Sequence, residues 1–292
     1  MALGIPSCWF FFRLPAYWPS ARAFISDLIC HYLDLLFDQT MKTSHRPARF
    51  AVAFLSIFFL AAVASAQPKS FEYRYFKSNI QDLIAQIPSP PADDSIAGMA
   101  DLETVIQLQK DVTPAQIERI KRVDSHTARN VMGMGAQALG SWFSKENLPR
   151  TAEILKEVNM ERHYIGLTVK DHWNRPRPYV RDPSIQPTAR RSKESSYPSG
   201  HSAASAAWAG IIAAAMPEYK EQLFEEVRET MWCRVMAGMH YPTDTHAGRK
   251  LGFLIADEML KTQTTQKAIK EMRAEILAFI KANPDVVTLP KQ

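Results

Sequence analysis

Three short segments of the chain carry residues suited to the chemistry of phosphate groups. The first runs Lys-Asp-His-Trp-Asn-Arg-Pro-Arg-Pro and sets Lys170 and Arg177 seven positions apart, where a helix should run into a rigid turn. Arginine offers a planar pair of donors and lysine a compact charge, so the two could hold one phosphoryl group. Alone, they would also fit a basic helix end that interacts with the helix dipole.

The second segment runs Ser-Tyr-Pro-Ser-Gly-His-Ser from Ser196, directly before an alanine-rich apolar stretch. Gly200 would let the backbone approach a ligand closely, and the amides around Ser199 and His201 would lie at a helix N-terminus, which attracts anions. The plainer alternative makes Ser199 an ordinary N-cap and His201 a first-turn histidine.

The third segment runs Cys-Arg-Val-Met-Ala-Gly-Met-His-Tyr-Pro-Thr-Asp from Cys233. The Pro-Thr pair predicts a helix start, so His240 should precede the helix and Asp244 should lie in its first turns. The carboxylate could then accept a hydrogen bond from Nδ1 and leave Nε2 free as a base or nucleophile. A histidine and an aspartate four residues apart also occur as a purely structural pair.

Composition indicates a folded protein with few special constraints. The chain has 292 residues, 46% hydrophobic and 22% charged, which excludes disorder as the dominant state and allows one domain or two small ones. A net charge of +5, spread along the sequence, gives little support for binding a nucleic acid polymer. Three cysteines are too few for a disulfide scaffold or a cysteine-rich zinc module, so other side chains must carry the chemistry.

Residues 41–66 have the layout of a secretory signal peptide. Basic residues precede an apolar run over 50–64, and small residues lead to an expected cleavage after Ala66. An uncleaved anchor is the alternative. Because export signals normally begin at the initiator, we interpret residues 1–40 as an upstream extension that precedes the true start at Met41.

The expected mature chain, 67–292, should therefore be exported. Its longest apolar stretch, from Ala203 to Met216, is too short to span a membrane. It retains Cys233 as its single cysteine, so no intramolecular disulfide is possible.

Apolar residues recur at helical spacing from about residue 98 onward, without alternating strand patterns. Thr113, Pro114 and Gln116 predict a helix start with a capping box, and we expect that helix to continue to near Gly140. Further helices are predicted at about 98–110, 150–170, 199–215, 218–237, 242–262 and 264–282. Seven helices predict an all-α fold with a single helical bundle.

The segment 179–197 combines turn residues with a basic group, Arg181, Arg190, Arg191 and Lys193. We interpret it as an ordered surface loop beside the site, and a solvated linker is the alternative. Together with the 85–145 region, it should line the pocket that selects the substrate alcohol.

Taken in order, the motifs Lys-x6-Arg-Pro, Pro-Ser-Gly-His and Arg-x5-His-x3-Asp make the chain resemble the type 2 phosphatidic acid phosphatase (PAP2) superfamily. The Tyr-Pro-Ser-Gly-His form, the signal peptide and a Pro-rich start followed by Asp-Asp-Ser at 93–95 are most similar to bacterial class A non-specific acid phosphatases. The resemblance covers about residues 85–262. It implies a helical bundle of the acid phosphatase and vanadium haloperoxidase type.

The resemblance also implies a mechanism without a metal or other cofactor. His240 would attack phosphorus and form a phosphohistidine, Asp244 would orient it, and His201 would protonate the leaving alkoxide and later activate water. The phosphate oxygens would be bound by Lys170, Arg177, Ser199, Gly200 and Arg234. The expected partners are small-molecule phosphate monoesters and, because class A relatives are often oligomeric, further copies of the chain.

Two features of the third motif allow other interpretations. Cys233 stands where the superfamily usually has serine, and we interpret it as a buried thiol. A cysteine nucleophile of the tyrosine phosphatase kind would need an arginine six positions on, where the chain has Met239. His240, Asp244 and His246 could look like metal ligands, but a helix would turn His246 away from Asp244.

Three other functions remain open from the sequence. A vanadate-dependent haloperoxidase would share the motifs, although such chains are generally much longer. A phosphatase for lipids or lipid-linked pyrophosphate would share them too, although its membrane members carry several spanning helices. A phosphate-binding protein without turnover would not need the histidines and the aspartate of the motifs.

Overall fold

The computed structural model describes residues 71–126 and 130–287, which lie within one compact unit, Phe71–Gln292. The predicted signal peptide at 41–66 and the upstream segment 1–40 lie outside the described residues. The described part contains no β-strand, so the all-α prediction is confirmed. Its elements are α1 (Ile80–Gln86), α2 (Ile96–Lys110), α3 (Pro114–Asp124), α4 (Gly133–Leu139), α5 (Pro149–Trp173), α6 (Pro178–Arg181), α7 (Gly200–Ala215), a 3-10 turn (Pro217–Tyr219), α8 (Lys220–Met236), α9 (Pro242–Leu260) and α10 (Gln263–Ala282).

The predicted helix from Thr113 to near Gly140 is wrong in its second half. Its capping box is present, since the Thr113 side chain accepts from the Gln116 amide and the Gln116 side chain accepts from the Thr113 amide. However, α3 ends at Asp124 and the chain re-forms a short helix only in α4. Within α4, Gly135 packs closely on the Phe143 ring, which lies 2.3 Å from where a Cβ would be.

Helix α7 is the centre of the bundle. It is apolar on nearly every side, as a helix surrounded by others must be, and it packs against α5, α8 and α9. The approach to α9 is the tightest, because a Cβ on Gly248 would lie 2.4 Å from the Ser199 carbonyl oxygen and one on Gly252 2.3 Å from that of Ala203. These two glycines therefore bring the N-terminal ends of α7 and α9 side by side.

A tight reversal connects α8 to α9. Gly238 has a φ of 69°, in the left-handed region that favours glycine, and a Cβ there would lie 2.6 Å from the Gln109 side chain. The reversal places His240 between the end of α8 and the start of α9. Among the described helices, none combines the length and the apolar character needed to cross a bilayer.

Candidate active site

His240 lies in the connection between α8 and α9 and is 2% exposed. Its Nδ1 is 3.4 Å from Oδ2 of Asp244, and its Nε2 is 3.2 Å from Nη1 of Arg177. Burial holds the pKa of His240 well below its usual range, and the charges of Arg177, Lys170 and Arg234 act in the same direction. The imidazole is therefore neutral, and a proton on Nδ1 would leave the Nε2 lone pair directed at the cations.

Asp244 is fully buried in the first turn of α9, and its carboxylate is held from both sides. Oδ2 accepts from the Ser196 hydroxyl at 2.5 Å and from the Tyr241 amide at 3.0 Å, whereas Oδ1 accepts from Nη1 of Arg175 at 2.7 Å. These contacts fix the carboxylate beside the His240 ring and compensate its charge.

Arg175 links Asp244 to a second buried acid on α2. Its Nη2 donates to Asp101 at 2.9 Å, its Nη1 also donates to the Thr243 hydroxyl at 2.8 Å, and the guanidinium lies 4.0 Å from the centre of the Tyr241 ring. Sequence reasoning missed this role, although Arg175 lies inside the first motif. Nothing in the sequence pointed to Asp101.

Lys170 and Arg177 lie close together, because both side chains donate to the Ser195 carbonyl. Asn174, with a φ of 44°, ends α5 and turns the chain so that Arg177 comes back beside the last turn of the helix. Nζ of Lys170 donates to the Ser195 carbonyl at 2.7 Å, and Arg177 donates to the carbonyls of Glu194 and Met239 at 2.9 and 3.0 Å. Within the described ranges, neither cation has a carboxylate at ion-pairing distance.

Both cations are about 5% exposed, and the lack of a counter-charge affects their protonation. Burial, reinforced by the charge of Arg177, lowers the pKa of Lys170 to about 7. Burial also lowers the pKa of Arg177. Buried charges without a partner are unfavourable, so a bound anion would stabilise both side chains.

Ser199 and Gly200 form the N-terminus of α7. The Ser199 hydroxyl caps the helix by accepting from the Ser202 amide at 3.4 Å and from the Ser202 hydroxyl at 3.1 Å, so its capping role is present. A Cβ on Gly200 would meet only Cε of Lys170, at 3.9 Å. The packing does not require glycine at position 200. The free space at this N-terminus of α7 lies next to Lys170, and the backbone amides of a helix N-terminus attract anions.

Arg234 and His201 share a neighbour, Asp124, at the end of α3. Nη1 of Arg234 donates to Oδ1 of Asp124 at 2.6 Å, and Nε2 of His201 is 4.0 Å from the same oxygen. Nε2 of His201 is buried without a hydrogen-bond partner. Burial, Arg234 and His240 hold the pKa of His201 well below its usual range. Sequence reasoning missed Asp124, because the predicted helix continued past this residue, where α3 ends.

The loop between α6 and α7 contributes its backbone to the site. The carbonyls of Glu194 and Ser195 accept from the two converging cations, as described above. Its basic side chains point elsewhere, since Arg181 donates to the Gly98 carbonyl at 2.9 Å and Arg191 lies 5.2 Å from the centre of the Tyr179 ring. Arg190 and Lys193 are exposed. The segment 179–197 begins with α6 and otherwise forms an ordered loop beside the site.

Cys233 begins the third motif, and His246 follows the motif by two residues. Cys233 is 1% exposed, and burial, reinforced by Glu229, raises the pKa of its thiol to about 12. His246 is exposed on α9 and does not join His240 and Asp244. In the part of the chain that the structure describes, no group of three His, Cys, Asp or Glu side chains is placed to hold a metal ion.

Known proteins resemble this chain in sequence and in fold. Residues 159–267 match the PAP2 superfamily. The chain is 26% identical to a non-specific acid phosphatase of Salmonella typhi, and the match covers 75% of this chain and 91% of the relative. It is 32% identical to an acid phosphatase of Zymomonas mobilis, and that match covers 43% of this chain and 48% of the relative. A bacterial vanadium-dependent iodoperoxidase shares the fold, with a TM-score of 0.51, 16% identity and coverage of 63% of this chain and 54% of that one.

Proposed function

We propose that this chain is an acid phosphatase of the PAP2 type that hydrolyses small phosphate monoesters through a phosphohistidine, without a metal. The observation that carries the proposal is the contact between Nη1 of Arg177 and Nε2 of His240 at 3.2 Å. It puts a cation that pairs with no carboxylate among the described residues against the lone pair of the nucleophile candidate. An anion bound there would bring its phosphorus to Nε2. The acid phosphatase relatives support the same reaction.

The first step forms a bond between Nε2 of His240 and phosphorus and breaks the ester bond, with its electron pair leaving on the alcohol oxygen. Asp244 stabilises the positive charge that develops on the ring. His201 donates the proton to the leaving oxygen. Without a ligand, the pKa of His201 is too low for it to carry this proton. A bound phosphate dianion would offset the positive charge of neighbours such as Arg234 and raise the pKa of His201.

The second step returns the protein to its starting state. His201, now neutral, takes a proton from water, and the water oxygen attacks phosphorus and displaces Nε2 of His240. In both steps Lys170, Arg177 and Arg234 stabilise the equatorial oxygens, and the Ser199 hydroxyl and the α7 amides add hydrogen bonds. A metal has no required part in this sequence.

The test is hydrolysis of an aryl phosphate with excess chelator, in the wild-type protein and in His240→Ala. We expect chelator-resistant turnover that vanadate inhibits and that falls at least about a thousandfold in the variant. Phosphate trapped on the protein should resist alkali and be released by acid, as a phosphoramidate is. Loss of turnover in chelator, or trapped phosphate in His240→Ala, would refute the mechanism.

We also propose that the enzyme is exported to the periplasm after cleavage of the 41–66 segment. The layout of that segment is the support for this step. Sequencing of the protein from a periplasmic extract should give an N-terminus at Gln67. Recovery in the cytoplasm with residues 1–40 attached would contradict it.

A further inference from the structure

Asp101 is a buried acid on α2 that the proposed mechanism does not use. It is 4% exposed, and it contacts the start of α9, 142 positions along the chain. Oδ1 accepts from the Thr243 amide at 3.1 Å, and Oδ2 accepts from Nη2 of Arg175 at 2.9 Å and from the Thr243 hydroxyl. Because Thr243 directly precedes Asp244, Asp101 is anchored next to the carboxylate that contacts His240.

One part of this arrangement is structural. The amides in the first turn of a helix have no acceptor inside the helix. Asp101 accepts from one of these amides in α9, and its negative charge is favourable at the positive end of the helix. Asp101 therefore stabilises the start of α9, and a test of any chemical role has to separate that role from this stabilisation.

The other part is electrostatic, because Arg175 divides its charge between two acids. Its Nη1 donates to Asp244 at 2.7 Å and its Nη2 to Asp101 at 2.9 Å, and all three side chains are at most 3% exposed. When both acids are ionised, the three side chains together carry one excess negative charge. Charges are screened weakly in the protein interior, so this excess acts on the groups around it. With Asp101 present, Arg175 neutralises Asp244 only in part.

The ring of His240 needs such a charge during the reaction. When Nε2 bonds to phosphorus, the ring becomes positive while Nδ1 keeps its proton. The three cations of the phosphate site oppose a positive charge there, and they are among the causes that lower the pKa of His240. Asp244, with Oδ2 at 3.4 Å from Nδ1, is the acid that can offset this charge. A carboxylate that Arg175 neutralised completely would offset less of it.

We propose that Asp101 is a positioning residue for the nucleophile, which shares Arg175 with Asp244 and so preserves the negative charge that stabilises the phosphorylated ring of His240. This inference rests on the proposed function. Asp101 acts through Arg175 and Asp244 and contributes no group to the binding of phosphate. Its effect should therefore appear in the formation of the phosphohistidine and not in the affinity for an anion.

The test replaces the charge of Asp101 and keeps its shape. Asp101→Asn retains an oxygen that can accept from the Thr243 amide, so the start of α9 keeps a partner. We expect kcat for an aryl phosphate to fall about tenfold, which is the size of effect typical of one member of a buried polar network. The affinity for sulfate should not weaken, because the phosphate-binding cations are unchanged and a negative charge has been removed. Asp257→Asn, which removes an exposed acid from α9, should leave both quantities unchanged.

The phosphohistidine gives a readout that a purely structural role would not move. The fraction of protein trapped as phosphohistidine during turnover should be lower in Asp101→Asn than in the wild type, because the positive ring is less stabilised. A distorted start of α9 would instead weaken sulfate binding, since it packs against the N-terminus of α7. Equal losses of kcat and of sulfate affinity in Asp101→Asn would overturn the proposal.

A second variant covers the case in which Asp101→Asn does not fold. Asp101→Glu keeps the negative charge, so its kcat should stay within about threefold of the wild type. An unchanged kcat in folded Asp101→Asn, or a kcat more than about tenfold lower in folded Asp101→Glu, overturns the positioning role. Absence of aryl phosphate hydrolysis in the wild type would instead contradict the proposed function.

Discussion

The backbone amide of Ser199 donates to the backbone carbonyl of Asp244 at 2.9 Å, which ties the N-cap of α7 to the first turn of α9. This single bond joins the second sequence motif to the third. Because it involves main-chain atoms, it depends on how closely the two helices approach. The glycines of α9 that permit this approach are therefore as necessary to the site as the side chains in it.

The first prediction concerns Gly248. Gly248→Ala should lower the free energy of unfolding by about 2 kcal/mol, because the new Cβ would overlap the Ser199 carbonyl and force α7 and α9 apart. Denaturant unfolding measures the change. Gly166→Ala is the control, since its Cβ meets nothing closer than 3.8 Å and alanine favours the helix by about 1 kcal/mol. Equal stability of the two variants would contradict the tight contact.

The second prediction concerns the buried ion pairs of Arg175. Arg175→Met leaves Asp101 and Asp244 buried without their counter-charge, so we expect a loss of about 3–5 kcal/mol in unfolding free energy. Arg74→Met is the matched control, because the ion pair of Arg74 with Glu157 is largely exposed and should contribute less than about 1 kcal/mol. Similar losses of unfolding free energy in both variants would show that burial does not make the Arg175 ion pairs more important for stability than the exposed pair.

The third prediction concerns the pH dependence of anion binding. Lys170 is charged below its pKa of about 7 and neutral above it, so binding of a dianion should be constant at lower pH and weaken as pH rises through 7. Sulfate is the suitable probe, because its own charge does not change in this range. Calorimetry should show affinity falling up to about tenfold per pH unit.

A conservative variant separates Lys170 from other titrating groups. In Lys170→Arg the cation stays charged well above neutral pH, so the fall in sulfate affinity should move to higher pH. An identical pH profile in the variant would assign the effect to another group.

The fourth prediction concerns the thiol of Cys233. Its burial and its raised pKa leave almost no thiolate, so thiol reagents should not inactivate the folded protein, although they should label it after denaturation. Cys233→Ser should retain activity within about threefold, because the Cys233 side chain lies in the hydrophobic core and not among the predicted phosphate-binding side chains. Rapid inactivation of the native protein that Cys233→Ser abolishes would contradict the buried position.

Much of the site could be predicted because its motifs are local in sequence. Lys170 and Arg177 converge across one helix end, and His240 and Asp244 meet across one helix start, so their spacing is enough to indicate proximity. The structure brings the predicted residues together, and their individual roles stay predictions. The helix starts were predicted well where a cap or a proline fixes them, as at α3 and α9.

The residues that sequence reasoning missed have partners far away in the chain. Asp101 meets Arg175 from 74 positions away, and Asp124 meets Arg234 from 110 positions away, so no local pattern contains either pair. Nor did the helical pattern of the sequence show that α3 ends at Asp124.

The close contact of α7 with α9 also bears on how activity is gained during folding. The site takes side chains from α5, α7, α8 and α9, and their ends meet only once these helices have packed. An intermediate with formed helices but loose packing would have helical circular dichroism and no catalysis. Return of enzymatic activity after dilution from denaturant therefore reports the final consolidation of the bundle, later than the return of helicity.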